Sequence, residues 1–74
     1  MPRTRKRLRV LRAELELTQH ELSKRCGLHR TRVAQIETAQ GARPRDEEKL
    51  AIAIALRVHV NAIAWPDYDA EMSA

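Results

Sequence analysis

Residues 18–37 of this 74-residue chain read TQHELSKRCGLHRTRVAQIE, and this stretch decides the fold. Thr18, followed three residues later by Glu21, predicts a capping box, in which each side chain bonds the other residue's backbone N–H and starts a short helix. Gly27 ends that helix, because glycine adopts the positive φ of a sharp turn without a steric penalty. A second helix, with apolar residues at a spacing of three, follows at once. Two short helices joined by a glycine turn form a helix-turn-helix unit, here over about residues 18–38.

The chain ahead of this unit predicts an amphipathic first helix. Thr4 is its candidate N-cap, and Leu8, Leu11 and Leu15 recur at spacings of three and four with arginines between them. This helix therefore has an apolar face for the core and a basic face for solvent or a partner.

A fourth helix is predicted after a polar loop that is closed by Pro44. The acidic run 46–48 lies where the helix dipole favours negative charge. Residues 51–55 read AIAIA, which alternates with the period of a strand. We favour a helix, because alanine is a strong helix former and a lone strand would have no partner in this chain.

A fifth short helix is predicted to begin at His59 or Asn61 and to stop at Pro66. With no Phe, one Trp and one Tyr, the core must be aliphatic. The predicted fold class is therefore all-α, a compact bundle of about five short helices. A chain of this length supports one domain, over residues 1–65, with residues 66–74 as an acidic C-terminal tail.

Charge divides the chain into a basic front and an acidic back. Residues 1–45 hold 12 Lys and Arg against 4 Asp and Glu, a net charge of +8, whereas residues 46–74 hold 2 against 6, a net charge of −4. A basic front attracts a polyanion, so nucleic acid is the leading partner and an anionic membrane surface is the alternative. The longest apolar run, residues 50–56, is far shorter than the about 20 residues that span a bilayer, and no signal-peptide pattern follows the basic start. We therefore expect no membrane partner and a cytoplasmic location.

The segment quoted above resembles the helix-turn-helix of the phage-repressor family, the Cro/C1 or xenobiotic-response-element type. The matching residues are Thr18, Gln19, Glu21, Leu22, Ser23, Gly27, Val33, Ile36 and Glu37. The chain departs from the family at Ala39, where many members have glycine, and at His29, where many have Ser or Thr. Gly41 is therefore an alternative helix-ending residue that would lengthen the third helix. The resemblance also implies a structural ion pair between the first and third helices, which falls on Arg12 and Glu37.

The resemblance implies that the second helix of the unit, about residues 30–38, lies in the major groove of DNA. The resemblance implies that Arg30, Thr31 and Gln35 contact bases. Arg32 is either a further base reader or a phosphate contact. Arg can bond the two acceptors of guanine, and Gln the acceptor and donor of adenine, with about 1–3 kcal/mol of discrimination for each pair. The alternative is that these side chains only keep an exposed helix soluble.

Five further residues are predicted to contact the DNA backbone or the minor groove: Arg5, Arg9, Gln19, Arg43 and Arg45. Gln19 begins a helix, where free N–H groups and the positive end of the dipole hold a phosphate. The two loop arginines suit a narrow A·T-rich minor groove, which attracts guanidinium groups without base-specific hydrogen bonds. Loop solubility is the alternative for these two. The two arginines nearer the N terminus would add affinity and salt dependence rather than specificity.

The predicted fourth helix is apolar at Ala51 and Ile54, where family members often have polar residues. Exposed aliphatic surface suggests a partner, and a two-fold homodimer would place two recognition helices about 34 Å apart, one turn of DNA. The candidate dimer contacts are Ile54, Val60, Ile63 and Trp65. Alternatively, Ile54 packs under the C-terminal tail together with Trp65.

The patterns for catalysis and metal binding are weak. Cys26 and His29 are close in sequence, but no second cysteine pair completes a structural zinc site. The chain has no nucleophile elbow, phosphate-binding glycine loop or arrangement of paired carboxylates. We therefore expect no enzymatic activity, no metal and no cofactor.

Together these features predict a sequence-specific transcriptional regulator, a repressor or an activator, associated with the nucleoid. It would bind a palindromic operator in double-stranded DNA as a homodimer. The alternative is a protein-binding module of the antitoxin or antiactivator type, in which the apolar fourth helix binds a second protein.

Overall fold

The computed structural model describes residues 5–66. The α-helices of this part are α1 (Leu8–Glu14), α2 (Gln19–Cys26), α3 (Arg30–Glu37) and α4 (Asp46–Leu56), followed by a single 3-10 turn at Val60–Ala62. Two short strands, β1 (Lys6–Arg7) and β2 (Ile63–Ala64), pair in parallel, with Lys6 opposite Ile63 and Arg7 opposite Ala64.

The start and the end of α2 follow the predicted local rules. The Thr18 hydroxyl accepts the N–H of Glu21 at 3.0 Å, and the N–H of Thr18 donates to the Glu21 carboxylate at 2.8 Å. Gly27 ends the helix in the left-handed region, at φ 77°. The predicted capping box and glycine turn are therefore confirmed, and α2 packs against both α3 and α4.

The third helix ends where the family pattern places its end, without glycine. α3 ends at Glu37, and Ala39 itself adopts the left-handed conformation at φ 60°. The alternative of a longer helix ended by Gly41 is therefore wrong. The reason is that the Gln40 N–H bonds the carbonyl of Gln35 at 2.8 Å, which closes the helix over Ala39 despite its Cβ.

The two ends of the described chain differ from the predicted five-helix bundle. α1 begins at Leu8, directly after β1, and the predicted cap Thr4 lies outside the described residues. The predicted fifth helix is wrong, because the chain after His59 makes one 3-10 turn and then extends into β2. A segment this short does not hold a helix by itself, and Ile63 reaches the core by pairing beside β1. The described fold is thus four α-helices with a small parallel sheet.

The alternating segment in the fourth helix is helical, as predicted. Ile52 is 0% exposed and Ile54 is 66% exposed. A strand would place these two residues on the same face, whereas a helix turns them about 200° apart. The core that α4 covers consists of Leu8, Leu17, Leu22, Val33, Ile36, Ile52, Ala53, Leu56 and Ile63.

We expect Ala39→Gly to raise the free energy of unfolding by about 1 kcal/mol, because a left-handed conformation costs an L-residue about 1–2 kcal/mol and costs glycine little. The same replacement at Ala51, inside α4, should lower it by about 1 kcal/mol, because glycine is a poor helix former. Urea unfolding of both variants checks the prediction. Equal destabilisation at the two positions would contradict it.

Candidate nucleic-acid interface

The first turn of α3 presents two of the predicted base readers to solvent. Arg30 and Thr31 are exposed, and the helix is capped by His29, whose Nδ1 accepts the Thr31 N–H at 3.1 Å. Arg30 also lines an open cleft together with Gln19 and His20. An exposed guanidinium group therefore lies beside the start of α2.

The start of α2 is open to an anion. The capping box satisfies the N–H of Glu21, while no acceptor among residues 5–66 bonds the N–H groups of Gln19 and His20. The pKa of Glu21 is lowered, first because the backbone N–H of Thr18 donates to its carboxylate. A phosphate oxygen is the kind of acceptor that the two remaining N–H groups lack.

The Gln19 side chain is bonded inside the protein rather than held out for a phosphate. Its amide nitrogen donates to Glu37 Oε1 at 3.0 Å. The same carboxylate accepts from Arg12 Nε at 2.7 Å and Nη2 at 3.2 Å, and Arg12 Nη1 donates to the carbonyl of Leu17 at 2.8 Å. This network joins α1, α2 and α3, so it fixes the angle between the two helices of the motif. The part of Gln19 that is left for a phosphate is its backbone N–H.

Gln35 lies one turn beyond Thr31 and is half-buried. Its amide packs over the loop after α3, where a Cβ added to Gly41 would come within 3.1 Å of Gln35 Oε1. Gly41 therefore leaves the space that the amide occupies. The amide of Gln35 therefore lies close to the backbone of the loop at Gly41.

Arg32, the fourth predicted base reader, is held by its own protein. Its guanidinium forms a two-point ion pair with Glu48, with Nε–Oε2 and Nη2–Oε1 distances of 2.9 and 2.7 Å. Both side chains are less than one-fifth exposed. No local sequence pattern predicts this pair, because the partners are sixteen positions apart and belong to different helices.

The predicted contacts to the DNA backbone lie on two exposed stretches. Arg5 and Arg9 are exposed at the start of the described chain and on α1, and Arg43 and Arg45 are exposed in the loop between α3 and α4. The Arg45 guanidinium lies 3.9 Å from the Glu47 carboxylate, and this pair is weak and solvated. The four guanidinium groups are thus placed where a polyanion can reach them.

A family model described as helix-turn-helix matches residues 8–63. The chain belongs to the Cro/C1-type helix-turn-helix family. This confirms the resemblance read from residues 18–37, and it makes the chain a DNA-binding regulator whose motif helices are α2 and α3. A comparison with curated proteins gives no match. Within residues 5–66, no helix is both long and apolar enough to cross a membrane.

The surface of α4 in this helix-turn-helix protein is apolar over one turn. Ile54 is 66% exposed, and Leu50, which is not among the predicted dimer contacts, is 54% exposed four residues earlier. The spacing of four was the signal that could have identified Leu50. Ile63 is 1% exposed, so its assignment as a dimer contact is corrected: pairing of β2 with β1 turns it into the core.

The other two predicted dimer contacts are half-buried beside α4. Trp65 donates its indole N–H to the carbonyl of Val60 at 3.2 Å, and the Lys49 ammonium lies 5.7 Å from the centre of its ring. These contacts hold Trp65 against its own chain, while Ile54 stays exposed. The tail that was the alternative cover for Ile54 lies, from residue 67, outside the described residues.

The single cysteine is part of the packing of α2. Burial raises the pKa of the Cys26 thiol, so it is less reactive than an ordinary exposed thiol. In the described part of the chain, no three His, Cys, Asp or Glu side chains come together as metal ligands.

Proposed function

We propose that this helix-turn-helix protein reads a specific DNA sequence by placing α3 in the major groove. The observation that carries the proposal is the exposure of Arg30 and Thr31 on the first turn of α3, beside the open N–H groups at the start of α2. In this docking α2 holds a phosphate while the first turn of α3 reaches base edges. Gln35 reads a further base from its place over Gly41.

The exposed arginines outside α3 supply affinity in this proposal. Arg5 and Arg9 contact phosphates, and Arg43 and Arg45 reach the backbone or the minor groove. Each phosphate contact makes the slope of log affinity against log salt more negative by about 0.9. The pair between Arg12 and Glu37 has a structural role.

We further propose that the protein binds a palindromic operator as a homodimer, in the cytoplasm at the nucleoid. Leu50 and Ile54 support this, because two large side chains exposed one turn apart are a surface that a second copy can cover. A two-fold dimer presents two copies of α3 to successive major grooves, which matches inverted half-sites about one turn apart.

We expect Ile54→Glu to convert the dimer to a monomer and to weaken operator binding by about 100-fold, because the two half-sites are no longer bound by one particle. Sedimentation velocity and a titration with the operator duplex measure the two effects. Val10→Glu introduces the same charge at an exposed apolar residue of α1 and serves as the control. An unchanged dimer with Ile54→Glu would contradict this assignment of the interface.

Selection of bound sequences from a random duplex pool tests the proposed function. We expect an enriched sequence with inverted half-sites whose centres lie about one turn apart. A pool without enrichment would contradict sequence-specific binding. It would favour the alternative of a protein-binding module of the antitoxin or antiactivator type, for which the apolar face at Leu50 and Ile54 is the specific observation.

A further inference from the structure

Arg32 connects the recognition helix to the loop that follows it. Besides its ion pair with Glu48, its Nη1 donates to the carbonyl of Ala42 at 2.9 Å and its Nη2 to the carbonyl of Arg43 at 3.3 Å. A planar guanidinium with several donors in fixed directions suits such a multiple contact. The loop carbonyls are thereby drawn back to the first turns of α3.

Glu48 completes the connection from the other side. Its Oε1, which accepts from Arg32, also accepts the backbone N–H of Arg45 at 2.9 Å, at the start of α4. The residue between the two loop arginines, Pro44, is buried. The ion pair therefore binds the main chain at positions 42, 43 and 45, on both sides of an anchored proline.

The charge state of this pair is stable. The pKa of Glu48 is lowered to about 2, first by the hydrogen bonds from the Arg32 side chain and further by the Arg45 N–H. The carboxylate thus stays ionised throughout the neutral range, and the guanidinium remains matched by a full negative charge. The contact does not open with a modest change of pH.

We propose that Arg32 and Glu48 are a positioning pair for DNA recognition: they fix the loop backbone so that the side chains of Arg43 and Arg45 stand at a set distance from the base-reading turn of α3. The inference rests on the proposed function above. Arg32 then acts on DNA through the loop and makes no contact with a base or a phosphate itself. It differs in this from Arg30, which stands exposed two positions earlier on the same helix.

The pair has a defined consequence for specificity. Base pairs read by the first turn of α3 lie in the major groove, whereas the loop arginines reach the flank of each half-site. A guanidinium group at a fixed place favours a narrow A·T-rich minor groove there. If the loop is no longer fixed, the protein still reads the base pairs contacted by α3. It loses its preference for A·T base pairs at the flanks of each half-site.

Glu48→Gln distinguishes a positioning role from direct contact, because the two roles predict changes of opposite sign. For a positioning pair, we expect binding of the selected duplex to weaken by about tenfold, the scale of one charge-assisted hydrogen bond. The slope against log salt becomes shallower by about 0.9 for each phosphate that the loop arginines no longer reach, and the flanking preference disappears. If Glu48 instead withholds Arg32 from DNA, the variant binds more tightly with a steeper slope, and the proposal is overturned.

Two further variants control for charge and for folding. Glu47→Gln makes the same change in net charge at an exposed neighbour and should leave affinity unchanged or slightly raised. Arg32→Lys keeps the positive charge and loses the two-point geometry, so it should reproduce the weakening, the shallower slope and the loss of flanking preference. A variant Arg32→Lys that binds like the wild type would overturn the proposal even if Glu48→Gln failed to fold.

Hydrogen exchange of the Arg45 amide separates this inference from the proposed function, since it needs no DNA. We expect the exchange of this amide to be faster by about tenfold or more in Arg32→Lys and in Glu48→Gln than in Glu47→Gln. If the Arg45 amide exchanges faster in these variants but the random pool yields no enriched sequence, the pair does fix the loop. Only the proposed role in DNA reading would then be contradicted. Exchange that is the same in all variants would show that the pair does not fix the loop.

Discussion

Glu37→Ala is expected to lower the free energy of unfolding by about 3–5 kcal/mol, the usual cost of removing one partner from a buried ion pair. The Arg12 and Glu37 side chains are 19% and 5% exposed, and two guanidinium nitrogens bond the carboxylate. Without that carboxylate, the largely buried Arg12 charge keeps the Leu17 carbonyl as its hydrogen-bond partner among the described residues. The Gln19 amide loses its acceptor as well.

Glu14→Ala is a matched control, because it removes a carboxylate from an ion pair that is exposed rather than buried. Glu14 pairs with Lys6 at the same distance of 2.7 Å, but both side chains are about half exposed. Glu14→Ala should therefore change the free energy of unfolding by less than about 1 kcal/mol. Replacing Arg12 and Glu37 together by methionine should recover most of the loss, because no buried charge is then left unpaired. Equal effects of Glu14→Ala and Glu37→Ala in urea unfolding would show that the buried pair has no special role.

Arg30→Ala is expected to weaken binding of the selected duplex by about 1–3 kcal/mol for each half-site, the range for one base-reading pair. Arg30 is exposed at the start of α3, and no hydrogen bond from its guanidinium is seen within residues 5–66. Its donors are therefore available to a base edge. We expect the loss to be largest at one base pair of each half-site, with a preference for guanine that disappears in the variant.

Two comparisons test whether Arg30 reads a base or only adds charge. Arg30→Lys keeps the charge and loses the fork that fits guanine, so specificity should relax while the salt slope stays nearly unchanged. Arg57→Ala removes an exposed arginine at the far end of α4 and should leave the preference for the selected sequence intact. A loss with Arg30→Ala that is uniform across all duplexes would reassign Arg30 to the phosphate backbone.

Local chemistry made the motif helices predictable from the sequence. The bond between Thr18 and Glu21 spans three residues, and the turn at Gly27 depends on that residue alone. The helix over residues 51–55 was predictable because the acidic start and the alanines outweighed a short alternation. The exposure of Arg30 and Thr31 followed from the same register.

Contacts between segments that are far apart in the sequence could not be predicted from local sequence patterns. The two-residue strands pair across nearly the whole described chain, so no periodic pattern marks them, and the burial of Ile63 follows from that pairing. The partnership of Arg32 with Glu48 likewise depends on how α4 packs beside α3. From its place on the helix, Arg32 was predicted to be a base reader or a phosphate contact. In the structure its guanidinium instead bonds Glu48 and the carbonyls of the following loop.

The most direct test of the central claim is a titration of the selected duplex and of a scrambled duplex of the same length and composition, at one fixed salt concentration. Base reading by α3 predicts that the selected duplex binds at least about 1,000-fold more tightly, the lower end of the range for sequence-specific regulators. Equal dissociation constants for the two duplexes would contradict the account, because they would mean that the protein binds only the charged backbone.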